Sequence, residues 1–147
     1  MIKIAHRGNR FGPNKELENT APYLLESINA GFDVELDVWL IDDNFYLGHD
    51  GPEHKTLISF LQSISKNSWI HCKNFEALHY FASHSFNFRY FWHQEDDFTL
   101  VSNNIIWTYP GKQYGTASVL VDLESDNLTK YNKDLYAVCS DYVGLMV

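Results

Sequence analysis

The period of apolar and polar positions changes several times along this chain, and each change marks an element. Residues 2–6 are mostly apolar and end abruptly in His6-Arg7-Gly8. That pattern predicts a buried strand running into a loop, which holds Gly12 and Pro13. Over 16–30 the spacing becomes helical: Leu17, Ala21, Leu24, Leu25 and Ile28 form one stripe, and Gly31 stands where a helix C-terminus is capped. Alternation over 33–38 predicts a second strand, running to residue 40, with Asp33, Glu35 and Asp37 on one face and Val34, Leu36 and Val38 on the other. Asp42-Asp43-Asn44 predicts a turn into a strand over 45–49, which ends in His49-Asp50-Gly51. A helix is expected over 57–64, a third strand over 69–73 with Trp69, His71 and Lys73 on one face, and a helix over 75–84.

Strand and helix thus alternate through the first half, the order of an α/β protein with parallel pairing. Beyond residue 85 the pattern turns to strands, at 88–92, 105–109, 118–123 and 136–139, with intervals too short or too polar for full helices. The apolar run 137–147 predicts a docked C-terminal segment. At 147 residues with 45% hydrophobic content, one core and a single domain over 1–147 are expected. A complete eightfold (β/α) barrel takes at least ~200 residues. A barrel of this length would need loops where later helices normally stand, leaving a thin wall for another subunit to cover; an open sheet is the alternative.

Charge and cysteine content narrow the function classes. The 19 acidic and 11 basic residues give a formal charge of -8, which argues against a nucleic-acid surface. Any phosphate must therefore be met by a few placed cations. Cys72 and Cys139 are the only cysteines, no apolar h-region opens the chain, and no apolar run approaches ~20 residues. A reduced, cytoplasmic protein without a transmembrane span is expected.

The candidate chemistry lies at the strand ends. Glu35 and Asp37 share a strand face, where they are either solvated or held by a cation, because burying ionised carboxyls unpaired costs several kcal/mol each. Ile4-Ala5-His6-Arg7-Gly8, Glu18-Asn19-Thr20, Gly31-Phe32-Asp33-Val34-Glu35-Leu36-Asp37-Val38 and Leu47-Gly48-His49-Asp50 follow one another in the first part of the chain. This ordered set resembles the signature of the glycerophosphodiester phosphodiesterase family. The resemblance implies a TIM-barrel-like fold with its site at the strand ends. With this length, the expected fold is a reduced (β/α) barrel, several later helices being missing or replaced by loops. By the same resemblance, His6 and His49 are general acid and base, Arg7 and Lys73 bind phosphate, and Glu35 and Asp37 hold one divalent metal ion (Mg, Ca, Mn or Zn). Glu18 is a possible site-lining residue; helix-end capping explains Glu18 and Asn19 as well.

One position departs from the family. Its third strand usually reads Ile-Glu-x-Lys, and here Ile70-His71-Cys72-Lys73 stands instead. His71 is either a third metal ligand, suited to Zn, Mn, Fe or Ni more than to Ca or Mg, or a plain polar residue in an impaired site. The corresponding functions are a metal-dependent hydrolase of a small-molecule phosphodiester, or a non-catalytic module that binds a phosphorylated ligand. Cleaving a phosphodiester requires neutralising phosphoryl charge, removing one proton and donating another, and two imidazoles can do the proton work near neutral pH. His54, His79, His84 and His93 lie outside the motifs and read as surface or helix-end residues. Trp107, Tyr109, Asp122 and Glu124 fit a cavity wall, and equally core packing or solvated loops.

Overall fold

Alternation along each strand decides which side chains face which layer. The computed structural model describes residues 1–124 and 134–146. Its strands are β1 (Ile2–His6), β2 (Asp33–Ile41), β3 (Asn44–Leu47), β4 (His54–Thr56), β5 (Ser68–Cys72), β6 (Tyr90–Trp92), β7 (Phe98–Leu100), β8 (Ile106–Thr108), β9 (Ser118–Val121) and β10 (Ala137–Ser140). The α-helices are α1 (Ala21–Asn29), α2 (Ile58–Ser63) and α3 (Phe75–Ser83). β6, β5, β2, β1, β10, β9 and β8 lie side by side in that order, all parallel. β3 and β4 extend the sheet antiparallel from the far half of β2, and β7 pairs antiparallel with β8.

This curled, mixed sheet overturns the expected (β/α) barrel. The molecule is mostly sheet, a half-barrel whose described α-helices are only 9, 6 and 9 residues long. The reason lies in the connections. A parallel crossover through a helix takes a dozen or more residues, whereas the link from β8 to β9 is short and contains Pro110, Gly111 and Gly115. β6 is followed by the β7–β8 hairpin instead of a helix. The curl still brings its two ends near each other: Ser102 N–H donates to Tyr90 O at 2.9 Å, and Thr99 Oγ1 donates to Trp92 O at 2.8 Å.

Curling gives the sheet two apolar layers. On the outer face, Val34, Leu36, Val38, Ile70 and Cys72 pack beneath Leu24 of α1, Leu61 of α2 and Ala77 and Phe81 of α3. On the inner face, Ile4, Trp69, Phe91, Trp107, Val119, Ala137 and Cys139 fill the hollow of the curl. Because the strands are parallel, their C-terminal ends meet at one rim above this inner layer. There the in-facing positions change from apolar to ionisable.

Smaller expectations also shift. The helix expected over 16–30 begins only at Ala21, since Asn19 has φ 57° and Pro22 can enter a helix only at its first turn. Leu17 and Leu25 are accordingly exposed, and Glu18 and Asn19 precede the helix. β4 and β7, three residues each, are too short to register as periodicity. The C-terminal segment is docked as expected, with Val143 and Met146 buried and Met146 O accepting from Lys3 Nζ at 2.7 Å; Val147 lies outside the described residues. Both thiols are free and buried. No described helix is long and apolar enough to cross a membrane.

Candidate functional site

Strand register assembles the site. β1 and β2 pair so that His6 stands beside Glu35, and β2 and β5 pair so that Asp37 stands beside His71. These side chains line one cavity of about 460 Å³ together with Arg7, His49 and Lys73. Each catalytic, phosphate-binding or metal-ligating residue expected from the sequence therefore borders the same space. Glu18 does not: it lines a neighbouring cleft of about 250 Å³ with Lys15, Asn19, Asp50 and Glu53. Arg7 and His49 border both hollows.

At the floor, Glu35 is 2% and Asp37 0% exposed. Burial and the charge of Asp37 push the Glu35 carboxyl above its ordinary range. Burial opposes ionisation of Asp37 as well, but His71, Lys73 and Arg7 outweigh it and hold that carboxyl low. Asn19 clamps Asp37 from behind: its Nδ2 donates to Oδ2, and its Oδ1 accepts from the Asp37 backbone N–H, each at 3.0 Å. Arg7 Nε lies 3.5 Å from the same Oδ2, an ionic contact without hydrogen-bond alignment. Asp37 Oδ1 points the other way, toward His71 Nδ1 at 3.1 Å and Lys73 Nζ at 3.7 Å, and is buried without a hydrogen-bond donor.

Three ligand atoms, one each from Glu35, Asp37 and His71, lie within 4.8 Å of one another. A buried carboxylate oxygen that approaches an imidazole nitrogen without aligning as a hydrogen bond fits two donors aimed at a shared ion. The donor set, two carboxylates and one imidazole, suits a divalent metal.

His6 is held by a partner that sequence reasoning missed. Its Nδ1 meets Asp141 Oδ1 at 2.8 Å, while Nε2 lies 3.9 Å from Glu35 Oε2 at the cavity. Burial works against a charged His6, yet the Asp141 hydrogen bond and the Glu35 carboxylate prevail and raise its pKa. Asp141 moves oppositely: burial disfavours its charge, but His6 and Asn9 keep its pKa below the ordinary value. Buried Asn9 joins two sides of the site, its Nδ2 donating to Asp141 Oδ1 at 2.8 Å and to Glu18 Oε1 at 2.9 Å. Glu18 in turn accepts from Arg7 Nη1 at 3.3 Å. Arg7 itself has φ 52°, so the chain turns sharply just past β1 and directs its N–H to Glu35 Oε2 at 3.2 Å.

His49 sits past β3 on a turn that only glycine permits, since Gly48 has φ +148°. Its Nδ1 meets Asp50 Oδ1 at 2.8 Å, and the imidazole is partly exposed. The opposite wall is aromatic and apolar: Phe91, Trp107, Tyr109, Val121 and Leu123. Burial and nearby carboxylates raise the Tyr109 hydroxyl pKa far above its usual range. Trp107 and Tyr109 thus line the cavity, whereas Asp122 and Glu124 are not among its lining residues. His93, read from sequence as peripheral, also faces the cavity, and its carbonyl accepts from His71 Nε2 at 3.1 Å.

Neither a protein-family model, a curated protein nor a solved structure matches this chain.

Proposed function

We propose that this chain is a metal-dependent phosphodiester hydrolase of the glycerophosphodiester phosphodiesterase family, acting on a glycerophosphodiester or a related phosphodiester. The observation that carries the reading is the meeting of His6, Arg7, Glu35, Asp37, His49 and Lys73 around one cavity, although they are spread over the first half of the chain. The ordered motifs supply the family; the departure from a helix-walled barrel leaves the rim of parallel strand ends intact.

Arg7 and Lys73 bind the phosphoryl oxygens. Glu35, Asp37 and His71 would hold a divalent ion, which would supply further neutralisation of that charge. His49 accepts the proton of the attacking hydroxyl as its oxygen bonds to phosphorus. His6, kept proton-rich by Asp141 and Glu35, gives a proton to the departing alcohol as its P–O bond breaks. The attacking hydroxyl is the substrate's own neighbouring glycerol hydroxyl, giving a cyclic phosphate, or water.

Hydrolysis of glycerophosphodiesters with Mg, Ca, Mn or Zn added is the direct test. Activity is expected with at least one ion, and His6→Ala and His49→Ala each lower it about 10²–10⁴-fold. Phosphodiester binding without turnover under every ion would replace the enzyme reading with that of a binding module.

A further inference from the structure

We infer that His71 binds the metal through Nδ1 and shifts the selectivity of the centre from oxygen-seeking Mg²⁺ and Ca²⁺ toward Zn²⁺-like transition ions. This rests on the metal-dependent reading above and adds which atom binds and which ion fits. The tautomer comes first. His71 Nε2 meets the His93 carbonyl at 3.1 Å, and a carbonyl only accepts, so Nε2 carries the hydrogen. A neutral ring then has its lone pair at Nδ1. The ring plane is set as well, because His71 stacks on Phe91 with centroids 5.0 Å apart and planes 12° from parallel. β6 and the residue just beyond its end therefore fix both orientation and tautomer, as the outer partner of a ligating histidine does.

Nδ1 faces carboxylate oxygens on two sides, Asp37 Oδ1 at 3.1 Å and Glu35 Oε1 at 3.9 Å. A cation must lie there, either a proton on Nδ1 or the metal ion that takes its place. Asp37 Oδ1 is buried and takes no hydrogen bond, so it too is oriented for such a cation. One nitrogen and two oxygens suit Zn²⁺ or Fe²⁺, whereas Ca²⁺ and Mg²⁺ prefer oxygen alone. Lys73 Nζ, 3.7 Å from Asp37 Oδ1, trims the negative charge on which hard ions rely.

The test is calorimetric titration of Zn²⁺, Mg²⁺ and Ca²⁺ into the wild-type protein and into His71→Glu, with ¹⁵N NMR of the imidazoles. Zn²⁺ binds most sites more tightly than Mg²⁺, so the change in their ratio is what matters. The Zn-to-Mg affinity ratio is expected to be at least about tenfold larger in the wild type than in His71→Glu. In the wild type, Zn²⁺ should shift the His71 Nδ1 resonance while Nε2 stays protonated, a readout that does not need the variant to fold. An unchanged ratio, or a Zn²⁺ shift confined to other histidines, overturns the inference. Hydrolysis driven by Mg²⁺ or Ca²⁺ with no Nδ1 shift overturns it but leaves the phosphodiesterase reading standing. An Nδ1 shift with no hydrolysis under any ion does the reverse.

Discussion

Asp141 and Asn19 act through other residues, and each can be tested separately. The Asp141–His6 pair contributes to stability within a defined pH window. Asp141 has a depressed pKa, so its contribution is present above its ordinary value of 3.8 and is lost as pH falls through the folded value. His6 has a raised pKa, so its contribution is full below its ordinary 6.5 and is lost as pH rises through the folded value. Asp141→Asn should therefore destabilise most between about pH 4 and 6.5, by about 1–3 kcal/mol. Thermal melts of both proteins across pH check this; a deficit that is flat with pH would contradict the pairing. Asn19 holds Asp37 by two hydrogen bonds from a backbone with φ 57°. Asn19→Gly keeps that backbone accessible but strips two hydrogen bonds from buried Asp37, so metal affinity should fall about 10–100-fold and stability by about 1–3 kcal/mol. Calorimetry beside a thermal melt separates the two effects.

Among the elements, the β2–β3 hairpin and the turn after it deliver His49. Gly48 N–H donates to Asp37 O at 3.2 Å, and Gly48 O accepts from Trp39 Nε1 at 2.7 Å, which ties the turn to β2, the strand that carries Glu35 and Asp37. A Cβ at Gly48 would meet Gly51 O at 2.1 Å, on a backbone with φ +148°. Gly48→Ala should cost about 1–3 kcal/mol or more from backbone strain and should displace His49. Hydrolysis should fall at temperatures where circular dichroism still reports a folded sheet. Retained activity would mean that His49 is not positioned by this turn. The loop after β1 is fastened differently: Gly12 N–H donates to Asp141 O at 2.9 Å and Gly144 N–H to Arg10 O at 2.8 Å, so the C-terminal segment supports the N-terminal motif.

For the whole molecule, the inner layer is what keeps the sheet curled. Trp69 is fully buried there, its Nε1 donates to Asp33 Oδ2 at 2.9 Å, and the Arg89 guanidinium lies 4.2 Å from its ring centroid. Trp69→Ala should cost about 3–5 kcal/mol, measured by denaturant unfolding. It should also weaken metal binding, because flattening the curl spreads apart the side chains of β2 and β5 that converge on its inner face. Equal metal affinity in the folded variant would show that the rim holds its shape without the inner layer.

Much of this was legible in the residues themselves. Period-two alternation assigned Glu35, Asp37, His71 and Lys73 to strand faces, since a strand's side-chain period is local and independent of what packs against it. The helix starts and the sheet architecture were less legible. Leu17 carries helical spacing, yet the left-handed turn at Asn19 overrides it, and helix-bearing crossovers inferred from the first half did not continue through the second. Asp141 meets His6 across 135 positions of chain, and no local pattern marks a partner at that distance. His93 enters the site through its carbonyl, a group every residue carries and no motif can flag. Which residues alternate across a strand is thus written locally in the chain, because it follows from backbone geometry. Which of them meet is set instead by strand order and curl, and these depend on packing between elements far apart in the chain.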